Sequence, residues 1–142
     1  MQEQPESAEL LDAVITLLRE EVVPALDGRL AFDVRVAARA ASIVKRELEQ
    51  GPELEAKARQ RLRDLLGVKT DNLSELNELL CERLEMGQLG LDSPALVDHL
   101  WQSTLQQLAI DQPRYPGYVH ALEQLKRRSR ASEDTTNEQK GQ

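Results

Sequence analysis

Apolar residues recur at steps of three and four along most of the chain, and no stretch alternates with the period of two that marks a strand. This spacing gives each segment one apolar side, as in an amphipathic helix. Prolines, glycines and polar capping residues divide the pattern into six predicted helices. Their approximate bounds are Ser7–Val23, Leu30–Gln50, Glu53–Leu66, Leu73–Met86, Pro94–Ile110 and Tyr118–Arg128. The sequence therefore predicts an all-α fold, a compact bundle of five to six helices.

The second predicted helix is rich in alanine and has two apolar stripes. One stripe passes through Ala31, Ala38 and Leu48, and the other passes through Phe32 and Val36. A helix that is apolar on two sides is usually buried, and small residues allow neighbouring helices to approach closely. We therefore expect this helix to be central and the most buried of the six.

Proline and glycine mark several predicted helix ends. Pro24 disfavours helical geometry at Val23, so the first helix is expected to end there. Gly51 is a favoured residue just after a helix, and Pro52 suits the first turn of the next one. Ser7 is expected to cap the first helix. Gly51 and Pro52 together set the predicted break between the second and third helices.

The two ends of the chain are polar. Residues 1–6 are predicted to be a flexible N-terminus, and residues 7–128 are predicted to form one helical domain. Residues 129–142 have almost no apolar side chain, so they are predicted to be a disordered tail.

Composition and charge narrow the range of partners. The chain has 142 residues, a hydrophobic fraction of 40% and a net charge of −7. Nonspecific binding to nucleic acid or to an anionic membrane depends on lysine and arginine, so neither partner is expected. No basic signal-peptide region precedes an apolar segment, and no apolar run approaches the about 20 residues of a membrane span. Together with a single cysteine, Cys81, these features predict a cytoplasmic protein.

We find no constellation of residues that predicts catalysis, a metal site or a cofactor. A nucleophile needs a nearby oriented base, yet the chain has only His99 and His120. Cys81 lies in the middle of a helix and is expected to be a buried, inert thiol. His99 is expected to be partly exposed on its helix. The glycines at 87 and 90 lack the lysine of a phosphate-binding loop.

Arginines form a basic stripe on the second predicted helix. Arg35, Arg39 and Arg46 share one helix face, and Arg29 precedes them. One interpretation is a solvated face with local ion pairs, such as Arg29 with Asp33. The other is a surface that contacts an acidic partner or an anionic ligand, for which the guanidinium group is well suited.

Two segments are more distinctive than helix packing requires. The first covers residues 23–39, with a Gly-Arg-x-Ala-Phe turn, and continues through residues 46–52. The second covers residues 105–115 and ends in Ile-Asp-x-Pro-Arg-Tyr. In these segments, and over about Leu10 to Tyr115, the chain resembles the DUF6285 family of small helical bacterial proteins.

The resemblance implies a partner protein and gives no catalytic residue to carry over. Members of this family are encoded beside aminoglycoside-phosphotransferase-like kinases, and the nearest analogy is the small partner of the 4-hydroxyacyl-CoA kinase in levulinic acid catabolism. We therefore expect a non-catalytic accessory subunit, without a cofactor, that supports a phosphotransferase-like kinase acting on hydroxyacyl-CoA. The residues expected at the partner surface are Arg29, Arg35, Arg39, Asp111, Arg114 and Tyr115.

Other interpretations stay open. The chain could be a self-associating helical structural protein, which would form a homodimer, or a stand-alone acyl-CoA-binding module. The six surface residues could also have a purely structural role without contacting a partner. In that case the turn at Gly28 and the connector Pro113–Tyr115 only fix the angles between helices.

Overall fold

The computed structural model describes the backbone of residues 5–139 and the side chains of residues 5–131. Within these residues the fold is all-α, with no strand. Five α-helices follow one another along the chain, and a π-helical turn at Leu18–Val22 and a 3-10 turn at Val23–Ala25 follow the first of them. The α-helices are α1 (Ser7–Leu17), α2 (Gly28–Leu66), α3 (Leu73–Glu85), α4 (Pro94–Asp111) and α5 (Pro116–Gln139).

The first helix begins at Ser7 as predicted, but its capping residue and its end differ from the prediction. Glu6, not Ser7, is the N-cap, and its N–H donates to Glu9 Oε2 at 3.0 Å. Helical geometry also continues through Val23, contrary to the prediction. Pro24 lies at the start of the 3-10 turn, where its fixed φ suits the helix and its missing N–H costs little. Extended backbone begins only at Leu26.

The predicted break at Gly51 and Pro52 is wrong, because α2 is one continuous helix of 39 residues. Proline usually ends a helix partly because its ring collides with the Cβ of the preceding residue. Gly51 has no Cβ, so this part of the collision is absent. Two costs of Pro52 remain: the helix loses the hydrogen bond that its missing N–H would have donated to the Leu48 carbonyl, and the proline ring crowds that carbonyl.

The N-terminal half of α2 packs against α1 through small residues. Ala31, Ala38 and Ser42 are buried on α2, and Ile15 is buried on α1. The predicted contact along the alanine-rich stripe is therefore confirmed at Ala31 and Ala38, whereas Leu48, predicted on the same stripe, is exposed. The stripe through Phe32 and Val36 is exposed, so the expectation that this helix is buried on both sides is wrong.

A leucine core joins the C-terminal half of α2 to α3 and the start of α4. Its buried members are Leu62, Leu66, Leu76, Leu80 and Leu96. The turn between α2 and α3 is well defined. Gly67 adopts a left-handed conformation with φ of 68° and donates to the Arg63 carbonyl at 2.8 Å. Asn72 then caps α3, as its Oδ1 accepts from the Ser74 N–H at 3.0 Å.

The chain divides into two compact units, Met1–Ser103 and Thr104–Gln142, and the division lies inside α4. In the second unit, Leu105 and Ile110 are buried on α4 and Ala121 is buried on α5. That residues 7–128 fold as a single domain stays a prediction.

The helix α5 is longer at both ends than predicted. It begins at Pro116, the favoured first position for proline, and its backbone is helical to Gln139. Disorder from residue 129 onwards in solution stays a prediction. Residues 140–142 of that predicted tail, and residues 1–4 of the predicted flexible N-terminus, lie outside the described residues. In the part of the chain that is described, no helix has the length and apolarity needed to span a bilayer.

Candidate functional site

Four side chains on the N-terminal half of α2 form the most distinctive exposed surface of the first unit. Phe32 and Val36 are large and apolar, yet 55% and 50% of their surfaces are exposed. Arg35 and Arg39 lie beside them, because residues three or four apart are neighbours on a helix. We call these four residues the basic–apolar face. Its position follows from the packing of α1 against Ala31 and Ala38, which turns this side of α2 towards solvent.

The two arginines of this face differ from two other basic residues on the same half of α2. Arg29 pairs with Asp33 at 3.1 Å, so the local-pair interpretation is correct for Arg29. Lys45 likewise pairs with Asp12 at 2.8 Å. Among the described residues, neither Arg35 nor Arg39 forms a hydrogen bond or ion pair. The reason is in the sequence, because residues 34–46 include no acidic side chain.

The start of α2 positions this face. Asp27 has extended backbone and precedes the helix, and Gly28 then adopts a positive φ of 62°. This conformation strains any residue with a Cβ, so the glycine of the Gly-Arg-x-Ala-Phe turn has a backbone role. The geometric interpretation of this turn is therefore supported at Gly28, whereas the Arg29 side chain remains exposed.

Three of the predicted partner-surface residues belong to the second unit, and the three arginines of α2 belong to the first. Asp111 ends α4 and accepts a hydrogen bond from Gln107 Nε2 at 2.5 Å. The Tyr115 ring covers Gly117, where an added Cβ would lie 2.7 Å from the ring. Arg114 is exposed between them. The six residues thus form two sets, and the second is engaged in the turn between α4 and α5.

His99 is buried, which corrects the expectation of a partly exposed histidine. Only 6% of its surface is exposed, because α4 buries the line through Leu96 and His99 and leaves Leu100 exposed. Its Nδ1 has no hydrogen-bond partner among the described residues. Burial lowers the pKa of His99, and the charge of Arg61 lowers it further, while Asp98 raises it.

Arg61 and Asp98 also line a small cleft in the first unit. The cleft has a volume of about 260 Å³, and Asp64, Leu65 and Ala95 complete its lining. Burial lowers the pKa of Arg61, and the Asp98 carboxylate opposes this effect. Sequence reasoning missed this arrangement, because Arg61 and His99 are far apart along the chain. The only sequence signal was the adjacent pair Asp98 and His99.

The buried His99 predicts a pH dependence of stability. Its pKa is lower in the folded chain than the ordinary value of 6.5. Between these two values the unfolded chain binds a proton that the folded chain does not, so stability falls as the pH drops below 6.5. We expect urea midpoints measured on either side of that pH to differ more for the wild type than for His99→Gln. Equal pH dependence of the two proteins would contradict this assignment.

Cys81 is exposed on α3, which corrects the expectation of a buried thiol. It follows Leu80, whose side chain enters the leucine core, and so it lies on a different side of the helix. In the described part of the chain, no three side chains of His, Cys, Asp or Glu lie close enough to bind a metal ion together.

These features define a small all-α protein whose most distinctive surface is a basic and apolar helix face. The comparison with protein families places it more specifically. Residues 24–115 match the family described as a domain of unknown function, DUF6285, and the chain belongs to this family. The matched region contains all of α2 and α3, the turn at Gly28 and the connector that ends at Tyr115. No curated protein and no solved structure matches the chain.

Proposed function

We propose that this chain is a binding subunit that supports a partner enzyme. The observation that carries the proposal is a set of large apolar side chains left exposed on α1 and on the N-terminal half of α2. Its members are Leu10, Val14, Leu17, Phe32 and Val36. Single exposed apolar residues are common, but several on two adjacent helices are typical of a protein-binding surface.

The proposed partner is an aminoglycoside-phosphotransferase-like kinase that acts on hydroxyacyl-CoA. This choice of partner comes from the family resemblance. The match to DUF6285 supports the family itself, and the kinase is part of the proposal. In this proposal the kinase supplies the catalytic groups, and the present chain contributes an apolar surface with adjacent arginines. Its role is to stabilise the kinase or to complete its acyl-CoA site.

The proposal is tested by co-expressing the tagged chain with the phosphotransferase-like kinase that the family resemblance predicts to be encoded beside it. We expect the tagged chain to retain the kinase through affinity and size-exclusion steps, whereas the tag alone retains none. We also expect the chain to raise the phosphorylation rate of a 4-hydroxyacyl-CoA substrate or to extend the half-life of the kinase. A kinase that is fully active and stable alone, and is never retained, would refute the proposal.

The same preparation separates the rival functions. Light scattering on the chain alone, over a dilution series, measures self-association; a stable homodimer that excludes the kinase would favour the structural-protein interpretation. A thermal shift with CoA thioesters in the absence of any partner would favour the stand-alone acyl-CoA-binding module. If the chain is an accessory subunit, we expect little self-association, and we expect CoA thioesters to raise its thermal midpoint less than the kinase does.

A further inference from the structure

We infer that the basic–apolar face of α2 is the docking surface, and that its occupant is an acidic and apolar surface of the partner protein. This inference rests on the proposed function and identifies where and by what chemistry the partner binds. Its basis is the combination of Phe32 and Val36 with Arg35 and Arg39, four exposed side chains on one side of one helix.

The charge pattern argues for an acidic occupant. The chain as a whole has a net charge of −7, yet residues 34–46 contain four basic side chains and no acidic one. Within the described residues, Arg35 and Arg39 have no ion pair to break when a partner approaches. A carboxylate from the partner can therefore bind each guanidinium directly, in the charge-assisted geometry that arginine favours.

The apolar side chains argue for a protein and against a free anion. A small phosphate or carboxylate ligand could contact the two arginines but would leave Phe32 and Val36 exposed to water. Aromatic residues and arginine are the types enriched at protein interfaces, where a few of them supply most of the binding energy. A partner surface with apolar residues flanked by Asp or Glu would cover all four side chains.

A second exposed stripe on α2 provides a contrast within the same helix. Leu30, Val44 and Leu48 lie on another side of α2, because they are out of step with Phe32 and Val36 in the 3.6-residue period. The apolar side chains on the two sides are exposed to similar fractions, but the pair Arg35 and Arg39 occurs on one side alone. Charge therefore distinguishes the docking surface from the other stripe.

The test compares charge reversals of equal size at two places. Arg35→Glu/Arg39→Glu alters the proposed surface, and Arg127→Glu/Arg130→Glu makes the same change in net charge on α5, where both arginines are exposed. The affinity of each full-length variant for the kinase is measured by titration calorimetry at low and high salt. We expect the first variant to bind at least about tenfold more weakly and to lose most of the salt dependence. The second variant is expected to bind like the wild type.

Two further variants test the apolar part of the surface. Phe32→Ala/Val36→Ala is expected to weaken binding at least about tenfold, and Val44→Ala/Leu48→Ala on the other stripe is expected to have little effect. All four positions are exposed, so circular dichroism and thermal midpoints are expected to stay close to the wild type.

Each outcome bears on a different claim. If the wild-type chain binds no kinase, both the proposed function and this inference are overturned. If the wild type binds and the Arg35/Arg39 reversal does not weaken binding, the docking surface is elsewhere while the proposed function stands. Equal weakening by the Arg127/Arg130 reversal would also overturn the inference, because it would show that only net charge matters.

Discussion

Replacement of Leu62 by alanine is expected to lower the free energy of unfolding by about 3 kcal/mol. Leu62 is completely buried in the leucine core, where it joins α2 to residues of α3 and α4. The substitution removes its apolar contacts and leaves a cavity that the surrounding leucines fill only in part. Urea unfolding followed by circular dichroism measures the change.

The matched control is the same substitution at an exposed position. Leu91 is 80% exposed in the turn before α4, so Leu91→Ala is expected to change the free energy of unfolding by less than about 0.5 kcal/mol. If the two variants proved equally stable, the leucine core would not be the main source of stability in the first unit.

Replacement of Pro52 by alanine is expected to stabilise the chain by about 2 kcal/mol. Proline inside a helix is about 3 kcal/mol less favourable than alanine. The gain is reduced by up to about 1 kcal/mol because the unfolded chain becomes more flexible without proline. Pro52 is exposed within α2, so alanine is expected to leave no cavity there. The urea midpoint measures the change, and a destabilised variant would show that proline is required at this position.

A double-mutant cycle with Gly51 tests why the helix tolerates proline. Alanine at position 51 would place its Cβ against the ring of Pro52, so Gly51→Ala alone is expected not to increase the free energy of unfolding. In the Pro52→Ala background the same change is expected to gain about 1 kcal/mol, the usual advantage of alanine over glycine in a helix. The Cβ would lie 3.0 Å from Glu47 Oε1, a side-chain end that can move. Identical effects in both backgrounds would refute this explanation.

Much of the fold could be predicted from local sequence signals. The spacing of apolar residues located α3 and α4 closely. The break at Pro52 was wrong because proline and glycine each favour a helix end when considered separately. Their effects are not independent, since the missing Cβ of one reduces the collision caused by the other. Local rules that treat residues singly cannot represent this.

The candidate site was predicted in part. The spacing of Arg35 and Arg39 correctly placed them on one exposed face, because that depends only on the helical period. Whether Phe32 and Val36 are buried depends on which elements pack against α2. In the residues described, α1, the two turns after it and α3 do so, and Leu96 of α4 joins the leucine core. The burial of His99 was missed for the same reason, because the pattern along α4 does not show which elements pack against it.

The continuity of α2 has a consequence for how the docking surface is oriented. The helix is about 58 Å long at 1.5 Å per residue, and no loop separates the basic–apolar face from the leucine core. The rotational phase of this face about the helix axis is therefore set by the number of residues between Arg39 and Leu62. One residue inserted near Gly51 would rotate the face by about 100° relative to the core, while seven would return it to within about 20° and shift it by about 10 Å.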